Sequence, residues 1–119
     1  MKTELKLVKE FHKKFKIPIL KKPSLTPKDR SDLRYALMHE EVEEYKLGVA
    51  NKDLENIAKE LADILYSTYG TILEHGLQDK MEAVFKEVHR SNMSKDYHKY
   101  KIQKGEKYSK PNLKKILGE

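Results

Sequence analysis

Apolar residues recur at helical spacing along most of this chain, and the pattern breaks where proline, glycine or a polar run intervenes. A first helix is predicted over residues 3–16, with Leu7, Val8, Phe11 and Phe15 as its stripe and Pro18 ending it. Residues 17–25 form a connector containing Pro23. A second helix starts at Thr26 as N-cap, with Pro27 at the first helical position and Asp29 as a first-turn carboxylate, and runs to about residue 51. It carries two apolar stripes, one of Tyr35, Met38, Val42, Tyr45 and Val49, the other of Leu33, Leu37 and Leu47. A third helix spans residues 53–75, stopped by Gly76, and is apolar over nearly half its circumference through Leu54, Ile57, Leu61, Ile64, Leu65, Tyr69 and Ile72. Such a helix is packed on more than one side. The fourth helix opens at Asp79 as N-cap, and its stripe of Met81, Val84, Phe85 and Val88 continues by helical steps to Asn92 and Lys95. Beyond residue 96 the chain is polar and rich in Lys and Tyr, with no strand signal, and Pro111 starts a short last helix carrying Leu113, Ile116 and Leu117.

Four helices on short connections predict an all-α fold, an antiparallel four-helix bundle in one domain spanning residues 1–119, with the bundle over 3–95 and a polar tail over 96–119. The second stripe of the second helix exceeds what one small bundle buries, which predicts a homodimer or higher homo-oligomer such as a tetramer. No run approaches the ~20 apolar residues of a membrane span, so no membrane partner is expected. The charged N-terminus lacks an apolar signal core, and the expectation is a cytoplasmic protein. The chain has no cysteine, which excludes disulfides, thiolate metal sites and cysteine nucleophiles.

The net charge of +6 conceals a strong asymmetry. Residues 40–63 hold eight acids against three lysines, whereas residues 1–30 and 86–115 each hold ten basic residues against three acids. Within the acidic middle, Glu40, Glu41 and Glu44 make an E-E-x-x-E cluster, and after fifteen residues Glu60 and Asp63 make E-x-x-D. Glu40 and Glu44 interrupt a core-facing stripe between Leu37 and Leu47, with Glu41 at its margin. Glu60 and Asp63 share a narrow polar strip with Asn56 and Ser67. Acids on a core-facing line need partners, because unpaired buried charge is costly. Two like charges ~4 Å apart repel by roughly 4 kcal/mol at an effective dielectric near 20. A hard divalent cation with oxygen ligands turns that repulsion into binding, which points to Mg2+, with Mn2+ as a substitute. A polyanion held through that metal, with lysines converging on it, describes a nucleoside triphosphate.

These motifs resemble the all-α NTP pyrophosphohydrolases, the superfamily of MazG, the dimeric dUTPases and phosphoribosyl-ATP pyrophosphohydrolase. The resemblance is greatest to a branch of small phosphoribosyl-ATP pyrophosphohydrolase-like proteins. That branch carries F-H-x-x-F, here residues 11–15; D-x-L-Y-x-x-Y-G, here 63–70; V-H-x-S-N-M-S-K, here 88–95; and Y-x-x-P-x-L, here 108–113. One departure is that the branch often places a glycine-containing turn soon after S-N-M-S-K, whereas the first glycine here is Gly105.

The resemblance implies Mg-dependent hydrolysis of a (d)NTP, dUTP or a non-canonical dNTP among them, to monophosphate and pyrophosphate. It implies Glu41, Glu44, Glu60 and Asp63 as ligands of the principal metal. Glu40 would serve a second metal or act as general base, with Glu41 its rival as base. Lys95 is the candidate phosphate clamp, against a role as a C-terminal helix charge. Asn92 would bond base or sugar, or cap its helix. Tyr66 would stack on a base, or pack in the core or an interface. His12 is a candidate substrate contact but reads more readily as a satisfied structural histidine. Arg34 and Glu43 point away from the acid line and read as structural and surface residues. Phosphoribosyl-ATP is the runner-up substrate. A basic nucleic-acid-binding module is the alternative of another class, disfavoured by a total of three arginines. A catalytically silent metal-binding bundle is the remaining one.

Overall fold

The computed structural model describes residues 1–118. In chain order the elements are α1 (Lys2–Lys14), α2 (Lys28–Ala50), α3 (Leu54–Glu74), α4 (Met81–Met93), β1 (Asp96–His98), β2 (Lys101–Gln103) and α5 (Lys114–Leu117). The described residues are therefore mostly helical, as the apolar periodicity requires, with one small two-stranded sheet. None of these helices is long and apolar enough to cross a membrane. Contacts divide the chain into two compact units, Met1–Leu77 and a second from Gln78 onward.

In the first unit α3 is central, with both α2 and α1 packed on it. Three residues join α2 to α3, which makes the pair an antiparallel hairpin. The α3 start follows expectation: the Asp53 carboxylate accepts from the Asn56 N–H at 3.1 Å, capping the helix. The expected cap of α2 is corrected. Pro27 is extended (φ −55°, ψ 149°) and itself occupies the cap position, which displaces Thr26 by one residue. The Thr26 hydroxyl is buried without a hydrogen-bond partner, and the Pro27 carbonyl receives the Arg30 and Ser31 N–H groups.

The connector over residues 17–25 runs beside the end of α3. Leu20 N–H donates to the Leu73 carbonyl at 3.0 Å, and Ser24 N–H to that of His75 at 2.9 Å. Gly76 (φ +66°) follows, where a Cβ would stand 2.1 Å from the Lys22 carbonyl oxygen, so only glycine fits this stop. Leu5 and Val8 of α1 and Ile72 and Leu73 of α3 form the buried apolar core. Leu33 and Leu47 of α2 and Leu54, Leu61 and Leu65 of α3 remain exposed.

In the second unit the expected Asp79 cap is also corrected: residues 78–80 form a turn, and α4 begins at Met81 with Lys80 in the cap position. The hairpin of β1 and β2 was not legible in the pattern. Three-residue strands are too short for alternation to register, and the turn is made by Lys99 (φ +49°) and Tyr100 (φ +66°) instead of Asn or Gly. The S-N-M-S-K and Y-x-x-P-x-L motifs meet in this unit. The Ser94 hydroxyl donates to the Ser91 carbonyl at 2.6 Å and accepts the Ser109 N–H at 2.8 Å, while Arg90 donates to the Lys110 carbonyl at 3.1 Å.

Candidate metal centre

The acid rows do converge. Glu41 on α2 and Glu60 and Asp63 on α3 bring one carboxylate oxygen each to within 4.8 Å of one another. The antiparallel hairpin makes this possible, because it sets the later half of α2 against the first half of α3. Asp63 is half-buried and Glu60 is only 4 % exposed. Glu44 joins them through the Glu60 carboxylate, within hydrogen-bond range. Glu40 lies outside this group and is exposed.

The electrostatics are those of crowded like charges. Burial, then the charges of Asp63 and Glu44 and the nearby Glu60 carboxylate, push Glu41 up to about 7. Glu44 is raised chiefly by its contact with Glu60. A contact between two carboxylates holds only when one carries a proton. The protein's own donors do not complete the set: Glu41 Oε2 and Glu60 Oε2 are buried with no hydrogen-bond partner. Orphaned buried carboxylate oxygens on two facing helices fit a cation, so Glu41, Glu60 and Asp63, with Glu44 beside them, are the residues suited to hold a metal. The cation that does touch the group is Lys59, whose ammonium donates to Asp63 Oδ2 at 2.8 Å and lies 3.4 Å from Glu60 Oε1. The pairing with Asp63, then that with Glu60, raises the Lys59 pKa.

Tyr66 stands edge-on to Phe11 of α1, ring centroids 5.4 Å apart. His12 is 2 % exposed and lies 3.1 Å through Nδ1 from the Pro18 carbonyl oxygen. A carbonyl only accepts, so Nδ1 carries the hydrogen. Burial, reinforced by the nearby Arg34, lowers the His12 pKa against the opposing pull of Pro18. In the second unit Asn92 is exposed and Lys95 half-buried, and the Lys95 N–H donates to the Asn92 carbonyl at 3.1 Å.

Sequence reasoning overlooked a second charged cluster between α2 and α3. Glu74, 1 % exposed, receives Arg30 at 2.9 Å on Oε1 and faces Arg34 Nη1 at 3.2 Å on Oε2. Arg34 also donates to the Thr71 hydroxyl at 3.1 Å and the Ser67 carbonyl at 2.8 Å. The available signal was an i,i+4 arginine pair on α2 together with a lone acid at the apolar end of α3.

A helical pair presenting orphaned buried carboxylates is suited to a metal ion within an all-α fold. A family model for phosphoribosyl-ATP pyrophosphohydrolase matches residues 8–92, well over half of the chain, and the protein belongs to that family. It is accordingly a nucleotide pyrophosphohydrolase, a hydrolase acting on acid anhydrides. The family is metal-dependent, and the match spans all five acids. No curated protein sequence matches the chain.

Proposed function

We propose that this protein hydrolyses a (d)NTP, dUTP or a non-canonical dNTP among them, at the α–β anhydride to give a monophosphate and pyrophosphate, with Mg2+ as its metal. The observation that carries this reading is the convergence of Glu41, Glu60 and Asp63 within 4.8 Å, with buried oxygens of Glu41 and Glu60 left unpartnered. Glu41, Glu44, Glu60 and Asp63 would hold the metal. Bound magnesium supplies charge neutralisation at the phosphates and a lowered pKa for water.

The chain's own residues do the remainder. Glu40 is exposed and outside the ligand group, which leaves its carboxylate able to accept a proton from the attacking water. Glu41 is its rival, because a group raised to about 7 matches neutral conditions. The half-buried Lys95 and the exposed Asn92 serve as phosphate clamp and base or sugar contact. Apolar residues exposed along α2 and α3, Leu33, Leu47, Leu61 and Leu65 among them, support a homo-oligomer, a dimer or tetramer, that covers them.

A second reading has equal support in the family match over residues 8–92: phosphoribosyl-ATP as the substrate. The S-N-M-S-K run and the tail bonded to it through Ser94 favour the (d)NTP reading. The test is pyrophosphate release from a panel of canonical and modified dNTPs and phosphoribosyl-ATP, with product analysis. Turnover of at least one substrate, abolished by chelator, is expected. Glu44→Ala should lose activity by orders of magnitude with helicity retained; near-normal turnover in that variant refutes the assignment.

A further inference from the structure

Lys59 spends its charge on the same carboxylates that face the metal position. Its ammonium lies 2.8 Å from Asp63 Oδ2 and 3.4 Å from Glu60 Oε1. Asp63 and Glu60 belong to the group whose oxygens converge within 4.8 Å. Glu60 is 4 % exposed, and its other oxygen is buried without a donor. The Lys59 side chain is itself 65 % exposed. Glu60 is thus held on a packed helix face, while the cation that pairs with it and Asp63 hangs on a flexible stem that solvent can take back.

A divalent ion binding this group meets two obstacles at Lys59, a positive charge a few ångströms away and an ion pair that already occupies ligand oxygens. Both are removed by one movement, rotation of the lysine stem into water. Glu60, at 4 % exposure, has no such path into solvent. We propose that Lys59 is an internal counter-cation of the acid cluster, bound in the metal-free protein and exchanged for the incoming metal. This inference rests on the metal reading of the site. It assigns to Lys59 a role that sets how tightly metal binds.

The experiment is calorimetric titration of Mn2+ into the full-length protein and into Lys59→Met, Lys59→Arg and Glu60→Gln, each checked for helicity. Lys59 is exposed, so both replacements leave packing intact. Lys59→Met should bind Mn2+ about fivefold more tightly than the parent, the size an exposed ion pair can reach. Lys59→Arg should bind no more tightly than the parent, because its fork grips carboxylates at least as well. Unchanged or weaker binding by Lys59→Met overturns the exchange, as does equal tightening in Met and Arg variants. In either case, binding by the parent that Glu60→Gln loses leaves the metal site standing. Failure of both the parent and Lys59→Met to bind Mn2+ removes the metal reading and the exchange together.

Discussion

Near the start of α2 and the end of α3, Arg30 and Arg34 surround Glu74; further along the same hairpin, Glu41 and Glu44 face Glu60 and Asp63. The first cluster is neutralised by the protein itself: Arg30 donates to Glu74 Oε1, Arg34 Nη1 stands 3.2 Å from Oε2 as an ion pair without a hydrogen bond, and Arg34 spends further N–H groups on Thr71 and Ser67. The second is of one sign, with Lys59 as a solvent-exposed partial answer and two buried oxygens that nothing reaches. The contrast is therefore one of sign: a buried acid met by two guanidinium groups, against four acids met by one exposed ammonium. Only the second cluster has the excess negative charge that a divalent cation would offset.

The sharpest break of this comparison removes one acid from each cluster. Asp63→Asn should cost pyrophosphohydrolase activity more than the roughly 10–100-fold typical of outer-shell metal partners, while its helical content stays that of the parent. Circular dichroism alongside pyrophosphate release measures both. In the balanced cluster the loss falls on stability instead. Arg34→Met leaves Glu74, which is 1 % exposed, with Arg30 as its one guanidinium partner and should destabilise the fold, by at most about 3–5 kcal/mol, in urea titrations. The double change Arg34→Met with Glu74→Leu should recover most of that, because replacing a buried pair as a unit is close to neutral.

A smaller effect is expected at Gly70, where a Cβ would lie 2.4 Å from Arg34 Nη2 and 2.9 Å from His12 Nε2. Gly70→Ala should therefore cost about 1–3 kcal/mol by displacing the guanidinium, without touching the acid group. That contact also accounts for a glycine inside α3, near its C-terminal end, where it lowers helix propensity.

The smallest effect is a divergence in pH response. Glu41 is raised in the folded protein from 4.5 to about 7, so its contribution is fully present below 4.5 and is lost as pH rises through 7. His12 is lowered from 6.5, so its contribution is present above 6.5 and lost as pH falls through its folded value. Unfolding midpoints across this range should therefore fall less steeply with rising pH in Glu41→Gln than in the parent. They should fall less steeply with falling pH in His12→Asn.

Much of the first unit was legible in the sequence because its signals are periodic. The presence of α1, α2 and α3 and the Gly76 stop rest on local spacing, whereas the buried set does not follow the predicted stripes: Leu7, Phe11 and Phe15 of the first stripe are exposed and Leu5, outside it, is buried. The placing of Glu60 and Asp63 on one strip rests on local spacing too. The resemblance carried the pairing of that strip with Glu41. What spacing does not carry is long-range partnership. Arg34 and Glu74 are forty residues apart, and each looks ordinary alone. Lys59 was passed over because a lysine beside acids on a helix reads as a solvated pair. The hairpin after α4 was hidden by its six-residue ladder and by a turn of Lys and Tyr.

The central claim is that the acid cluster is unfavourable in the protein alone and favourable with a divalent cation. Thermal unfolding of the parent and of Glu41→Gln, each at pH 8 with chelator and again with saturating Mg2+, tests it most directly. The predicted result is a crossing: Glu41→Gln is the more stable protein in chelator, and the parent is the more stable one in Mg2+. A parent that is more stable than Glu41→Gln under both conditions, with no added gain from Mg2+, contradicts the account.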